Sequence, residues 1–187
     1  DETRTVQVVL EPDANKNWFA RLLSFNQPIP SNESVESLIH AEASVNRIEQ
    51  ETLAKLDYTA ISARCLESVD VTQFFDALSE RHFALGESYR WIKAIRRAKG
   101  EAIGEISPPK SLGGLPAEQL HPGLIDACFT LLLASGALEA RRTWLPFSIE
   151  RIRLTQPIPS GPLWARLALR ESGGTEQAIA DVALCDA

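Results

Sequence analysis

The chain has 187 residues, 44% of them apolar, and its 19 Lys and Arg against 25 Asp and Glu give a formal charge of -6. That length suits one domain of ordinary size, or one complete unit with part of another. The acidic balance argues against a nucleic-acid partner, which needs clustered cations to neutralise phosphate, and with no membrane-length apolar run and no signal-peptide pattern a soluble, cytoplasmic protein is expected.

Residues 5–10 (Thr-Val-Gln-Val-Val-Leu) read as a strand by their β-branched content, and Pro12, Asp13 and Asn15 turn the chain toward a second strand over 18–25. After a loop rich in Pro, Ser and Asn, Ile39, Ala41, Ala43 and Val45 alternate with His40, Glu42, Ser44 and Asn46, the pattern of a third, half-buried strand. Three strands with no helix of their own leave one sheet face bare, so residues 1–48 are expected to be part of a unit.

From 49 to 69 the chain is polar and weakly helical. Ile48, Leu53 and Leu56 keep no helical stripe, which predicts a linker. Residues 70–187 look like a complete unit. Asp70 with Gln73 three residues on predicts a capped short helix carrying Phe74, Phe75 and Leu78. Residues 91–98 and 101–106 predict a hairpin across Lys99-Gly100, whose mixed Lys and Arg read as a solvated strand edge. A helix over 122–135 follows, and then strands over 145–154, 163–169 and 178–184. One long apolar helix with an antiparallel sheet is an α+β layer arrangement. Cys65, Cys128 and Cys185 are odd in number and far apart, so neither a disulfide framework nor a metal site is expected.

The 122–135 helix carries the most informative residue. Pro122 suits a first-turn position and Gly136 a stop, and between them runs an apolar helix with one carboxylate, Asp126. A charge on such a helix is costly unless it is paired, hydrogen-bonded or used. Ile125, Phe129 and Leu132 form one stripe; Asp126, Thr130 and Leu133 form another, which sets a hydroxyl one turn from the carboxylate. The spacing equally allows an Asp that turns to solvent.

Three ordered segments carry a family resemblance. His121-Pro122-Gly123-Leu124-Ile125-Asp126-Ala127 resembles the H-P-x-L-L-D-A segment of dehydratase domains from modular polyketide synthases. Leu145-Pro146-Phe147-Ser148 resembles the L-P-F-S segment that follows it, and Leu85 to Arg90 resembles the family's Y-G-P-x-F-Q region. The resemblance implies a double hotdog, each half a sheet around one helix, here as a complete second unit with the closing strands of a first. It also implies loss of water from a β-hydroxyacyl thioester carried on the phosphopantetheine arm of an acyl carrier protein, with no cofactor of the domain's own. A His takes the α-proton, and an Asp, matched by Asp126, serves the departing hydroxyl. Thr130, Tyr89, Leu145, Pro146 and Phe147 are implied as supporting or acyl-lining residues.

The chain also departs from the family pattern. None of His40, His82 and His121 begins the H-x-x-x-G-x-x-x-x-P segment that bears the base. Each reads as a structural or surface histidine. Thr130 stands where the family carries Gln or His, Glu87 where it carries Pro, and Leu85 where it carries Tyr. The sequence starts at Asp1 and contains no methionine, which reads as a stretch cut from a longer polypeptide. Two functions lead: the acid-bearing part of a working dehydratase, inactive without its His, or a pseudo-dehydratase that serves as a scaffold, dimerisation or docking element. Either reading implies an acyl carrier protein and neighbouring synthase domains as partners, and a homodimer is expected. A carrier or acyl-chain binding module is a third reading, with Arg141, Arg142, Arg151 and Arg153 toward an acidic carrier.

Overall fold

The computed structural model describes residues 4–14, 17–25, 37–47, 56–113, 120–138, 142–154, 162–170 and 177–186. The chain divides into two compact units, Asp1–Thr52 and Leu53–Ala187.

The first unit holds β1 (Thr5–Pro12), β2 (Trp18–Phe25) and β3 (Ser37–Val45), antiparallel in the order β1-β2-β3. The three strands expected from the sequence are present. Side chains two apart share a face, and on one face Val6, Val8 and Leu10 stand exposed, Val8 at 65%. Their neighbours across β2 are Ser24, Leu22 and Ala20. The ladder to β3 skips His40, since Leu22 pairs with Ala41 and Leu23 with Ile39. The His40 imidazole lies 2.6 Å from the Ser24 hydroxyl. Among the described residues of this sheet only Ser24 and Phe25 are buried, so backbone pairing supplies most of its order.

The second unit is a five-stranded antiparallel sheet, β4 (Glu67–Val69), β5 (Ile92–Ala98), β6 (Glu101–Ile106), β7 (Leu163–Leu169) and β8 (Ala180–Asp186), paired in chain order. The β5–β6 hairpin turns through Gly100 at φ +80°, a backbone that favours glycine. That turn is tied down twice: the Gly100 N–H donates to the Ser135 carbonyl at 3.1 Å, and its own carbonyl accepts from Leu169 at 2.8 Å. The end of helix α3 (Pro122–Ala134) is thereby fixed to the sheet.

Leu124, Ala127, Cys128, Leu131 and Ala134 form the packed stripe of α3, set against Ile92, Ile95, Ile106, Leu163, Ala165 and Leu167. The sequence suggested a stripe through Ile125, Phe129 and Leu132, but these are only partly buried. A helix apolar on most sides does not reveal which side faces the sheet. The contact selects the side with small residues: Gly104 of β6 leaves a gap that Leu131 fills, and a Cβ there would come within 2.7 Å of its Cδ2. Leu131 is fully buried, a burial worth about 1.5–3 kcal/mol. Helix α2 (Val71–Glu80) adds Phe75 and Leu78 to this core, capped as expected by Asp70, whose carboxylate accepts from the Gln73 N–H at 2.9 Å.

Two expectations differ from the structure. The stretch read as a linker carries α1 (Tyr58–Arg64) and β4 in its second half. Helix α1 lays Ile61 against Ile103, with Cys65 beside them and the Tyr58 ring tilted against Trp164 at 4.7 Å. Seven residues are too few for a visible helical period, and this helix is held by docking. Arg64 reinforces it by a two-pronged ion pair to Glu101, at 3.0 and 2.9 Å, while Arg166 binds the same carboxylate at 2.7 Å.

The second difference is the strand expected over 145–154. This segment is irregular and exposed, with Phe147 97% accessible and Leu145, Ile149, Ile152 and Leu154 also at the surface. Alternation marks residues fit for a strand, but a ladder needs a partner, and Pro146 contributes no N–H.

Candidate active site on helix α3

His121 caps α3. Its Nδ1 accepts the Gly123 N–H at 3.0 Å, which places the ring hydrogen on Nε2. Pro122 occupies the first turn, Ser135 ends the helix, and Gly136 leaves it at φ +66°. One turn inside the cap, Asp126 is half-buried.

Thr130, itself buried, sits one turn further, with its hydroxyl near the Asp126 carboxyl. The carboxyl oxygen Oδ2 is buried without a hydrogen-bond partner. Burial away from water pushes the Asp126 carboxyl above its ordinary range, and the nearby Thr130 hydroxyl opposes that shift without cancelling it. The result is a carboxyl with one buried, unpartnered oxygen, shifted toward its protonated form.

Tyr89 ends a 3-10 turn over Glu87–Tyr89 that lies against α3, and its ring is exposed. Leu145, Pro146 and Phe147 lie on the exposed 142–154 segment, outside the core around α3. The structure thus brings together Asp126 and Thr130, carries the Tyr89 turn to the same helix, and leaves the other three apart from that core. It adds Trp91, Gly123 and His121, which the sequence did not single out as site residues. The signal was a glycine in the first turn of an otherwise bulky helix. Of the remaining histidines, His40 is engaged with Ser24, and His82 sits in a turn at φ +64°.

Burial also raises the Cys128 thiol to about 12, the behaviour of a packed core residue rather than a nucleophile. Among the described residues no group of three His, Cys, Asp or Glu could hold a metal ion, and no helix is long and apolar enough to cross a membrane.

An antiparallel sheet packed against one long helix is the arrangement of the hotdog class. Residues 53–187 match the family model described as polyketide synthase dehydratase N-terminal domain, and the chain belongs to the polyketide synthase dehydratase family. The phenolphthiocerol synthesis polyketide synthase Pks15/1 of Mycobacterium bovis is 30% identical over 153 residues, 80% of this chain and 7% of that protein. PksN of Bacillus subtilis is 25% identical over 122 residues, 64% of this chain and 2% of its own length. Among solved structures, the dehydratase domain from the CurJ module of curacin polyketide synthase is similar with a TM-score of 0.74 at 27% identity, over 98% of this chain and 62% of that one. The CurF-module dehydratase shares the fold at 20% identity, with a TM-score of 0.76 over 98% of this chain and 69% of its own. The chain therefore spans a small part of the synthases and under 70% of these two dehydratase structures.

Proposed function

We propose that this chain is the acid-bearing portion of a dehydratase domain that removes water from a β-hydroxyacyl thioester held on the phosphopantetheine arm of an acyl carrier protein. Hydroxide is a poor leaving group, so its departure calls for a positioned acid. Asp126 in its protonated form donates from Oδ2 to the β-hydroxyl, with the Thr130 hydroxyl beside it. The α-proton passes to a histidine of a first hotdog unit, the carbon–carbon double bond forms, and water leaves. Elimination changes no net oxidation state, so the reaction calls for no redox cofactor. Residues 70–187 serve as the second hotdog unit and 1–48 as closing strands of the first. The partners are the carrier protein and neighbouring domains of a cytoplasmic synthase, with a homodimer as the expected assembly. Tyr89, Leu145, Pro146 and Phe147 are assigned to acyl lining.

The observation that carries this reading is the buried, unpartnered Oδ2 of Asp126 on a carboxyl shifted toward its protonated form. In the full-length parent, Asp126→Asn should abolish dehydration of a β-hydroxyacyl carrier protein while the domain still folds. Undiminished dehydration overturns the acid role.

A second reading, a non-catalytic pseudo-dehydratase scaffold, is favoured by the three histidines, none of which begins the family's base segment. Loss of a general base alone costs on the order of 100- to 10,000-fold. The 187-residue chain by itself should accordingly show no turnover. If the parent also fails to dehydrate, and deletion of this region breaks assembly of its neighbours, the scaffold reading stands.

A further inference from the structure

Trp91 connects two elements that meet at the start of α3. On one side its indole N–H donates to the Ser88 carbonyl at 2.9 Å, and its backbone N–H to the Tyr89 carbonyl at 3.1 Å. The tryptophan is thus bound to the turn that presents Tyr89. On the other side its ring lies 5.1 Å from the His121 ring with a tilt of 31°. Gly123 rests directly on the indole: a Cβ there would stand 2.3 Å from Nε1 and 3.0 Å from Cδ1 and Cε2. Only glycine allows this approach, at the expense of helix propensity in the first turn.

Asp126 follows Gly123 by three residues, so both occupy neighbouring positions on one side of the helix. Its carboxyl oxygen Oδ2 has no hydrogen-bond partner among the described residues, and the nearby Thr130 hydroxyl lies on the same helix. The direction of the carboxyl follows where the first turn of α3 sits, and that turn rests directly on Trp91.

We propose that Trp91, clamped between Ser88 on one side and His121 and Gly123 on the other, is the positioning residue that fixes the Asp126 carboxyl relative to the Tyr89 turn. This rests on the dehydratase reading above. Trp91 touches no reacting atom and acts through α3. Misplacing a reacting group by about 1 Å costs about 100-fold in rate, so a small shift of the helix start is felt in the chemical step more than in substrate binding.

Two substitutions disturb the clamp from opposite sides. Gly123→Ala drives a methyl into the indole, and Trp91→Phe keeps a ring but removes the N–H that holds Ser88. In the full-length parent each should lower kcat for dehydration by about tenfold or more and change KM less than about twofold. In the 187-residue chain, carbon-13 NMR titration of the Asp126 carboxyl should move in both variants. The double variant, whose smaller ring makes room for the methyl, should recover part of the lost kcat, a coupling that independent damage would not produce.

An unchanged kcat together with an unchanged Asp126 titration overturns the proposal. If Gly123→Ala does not fold, Trp91→Phe and the double variant decide by the same criteria. Loss of dehydration in Asp126→Asn with full activity in the clamp variants refutes the positioning role alone. Full activity in Asp126→Asn refutes the dehydratase reading, and the titration then decides whether the clamp still governs the carboxyl.

Discussion

The two sheets of this chain are built from the same kind of strand and differ in what covers them. In β1–β3 the apolar face of Val6, Val8 and Leu10 is exposed. In β4–β8 the corresponding face carries α3 and α2, and Ile95, Ile106, Ala165 and Leu167 are sealed beneath them. Strand pairing satisfies the backbone in both, but burial of apolar surface drives folding in only one. The stability of the described structure therefore resides in the second unit. The two units offer an internal control for separating hydrogen-bonded order from core packing.

The sharpest way to break that contrast is Leu131→Ala, which empties the space above Gly104. It should destabilise the second unit by about 2–5 kcal/mol, read by denaturant unfolding and by faster amide exchange in β5 and β6. A loss below about 1 kcal/mol would mean that the α3 core is not the main source of stability.

Glu101→Gln tests the outer face of the same sheet. Burial opposes charge on Glu101, but the hydrogen bonds from Arg64 and then Arg166 win and hold its carboxyl below the ordinary carboxylate value. Its stabilisation is therefore present above that ordinary value and fades as pH falls through the lowered one. The substitution should cost about 1–3 kcal/mol at neutral pH and flatten the acid limb of the stability profile. An unaltered acid limb would place that sensitivity elsewhere.

Asp126→Asn should have the opposite sign. Burial raises the folded-state value of Asp126 above the ordinary 3.8. Below 3.8 both states hold the proton. As pH rises toward the folded value the unfolded chain releases its proton first, and stability declines. Asparagine removes that decline, so the variant should gain on the parent chain across this window and keep the gain at neutral pH. A variant that loses stability there would show the carboxylate to be paired rather than isolated.

The smallest effect belongs to the first unit. Val8→Thr keeps the branched side chain and should change stability by about 0.5 kcal/mol or less. A loss above about 1 kcal/mol would mean that this face is covered in solution and would dissolve the comparison.

The elements marked by β-branched content, alternation and turn or cap residues were legible from sequence: the three strands of the first unit, the 92–98 and 101–106 hairpin around Gly100, and the helix from Pro122. Helix α1 was not, because its order comes from Ile61 and Tyr58 meeting side chains about 40 and 100 residues away. The 145–154 segment failed in the other direction, since local alternation cannot say whether a partner strand exists. At the site, helical spacing left open whether Asp126 turns to solvent, while the nearness of Thr130 to Asp126 followed from it. The fit of Gly123 on Trp91 did not, because 32 residues separate them and only the fold brings them into contact.

The docking of α1 also makes a clock of the residue that caps its end. Cys65 has no accessible surface, while Cys185 is partly open. A thiol reagent reaches Cys65 when α1 lifts from the sheet, so the delay between labelling of Cys185 and Cys65 measures how often that helix opens. Weakening the Arg64–Glu101 pair should shorten the delay and leave the Cys185 rate untouched. One buried sulfur thus turns a static contact into a rate that can be timed.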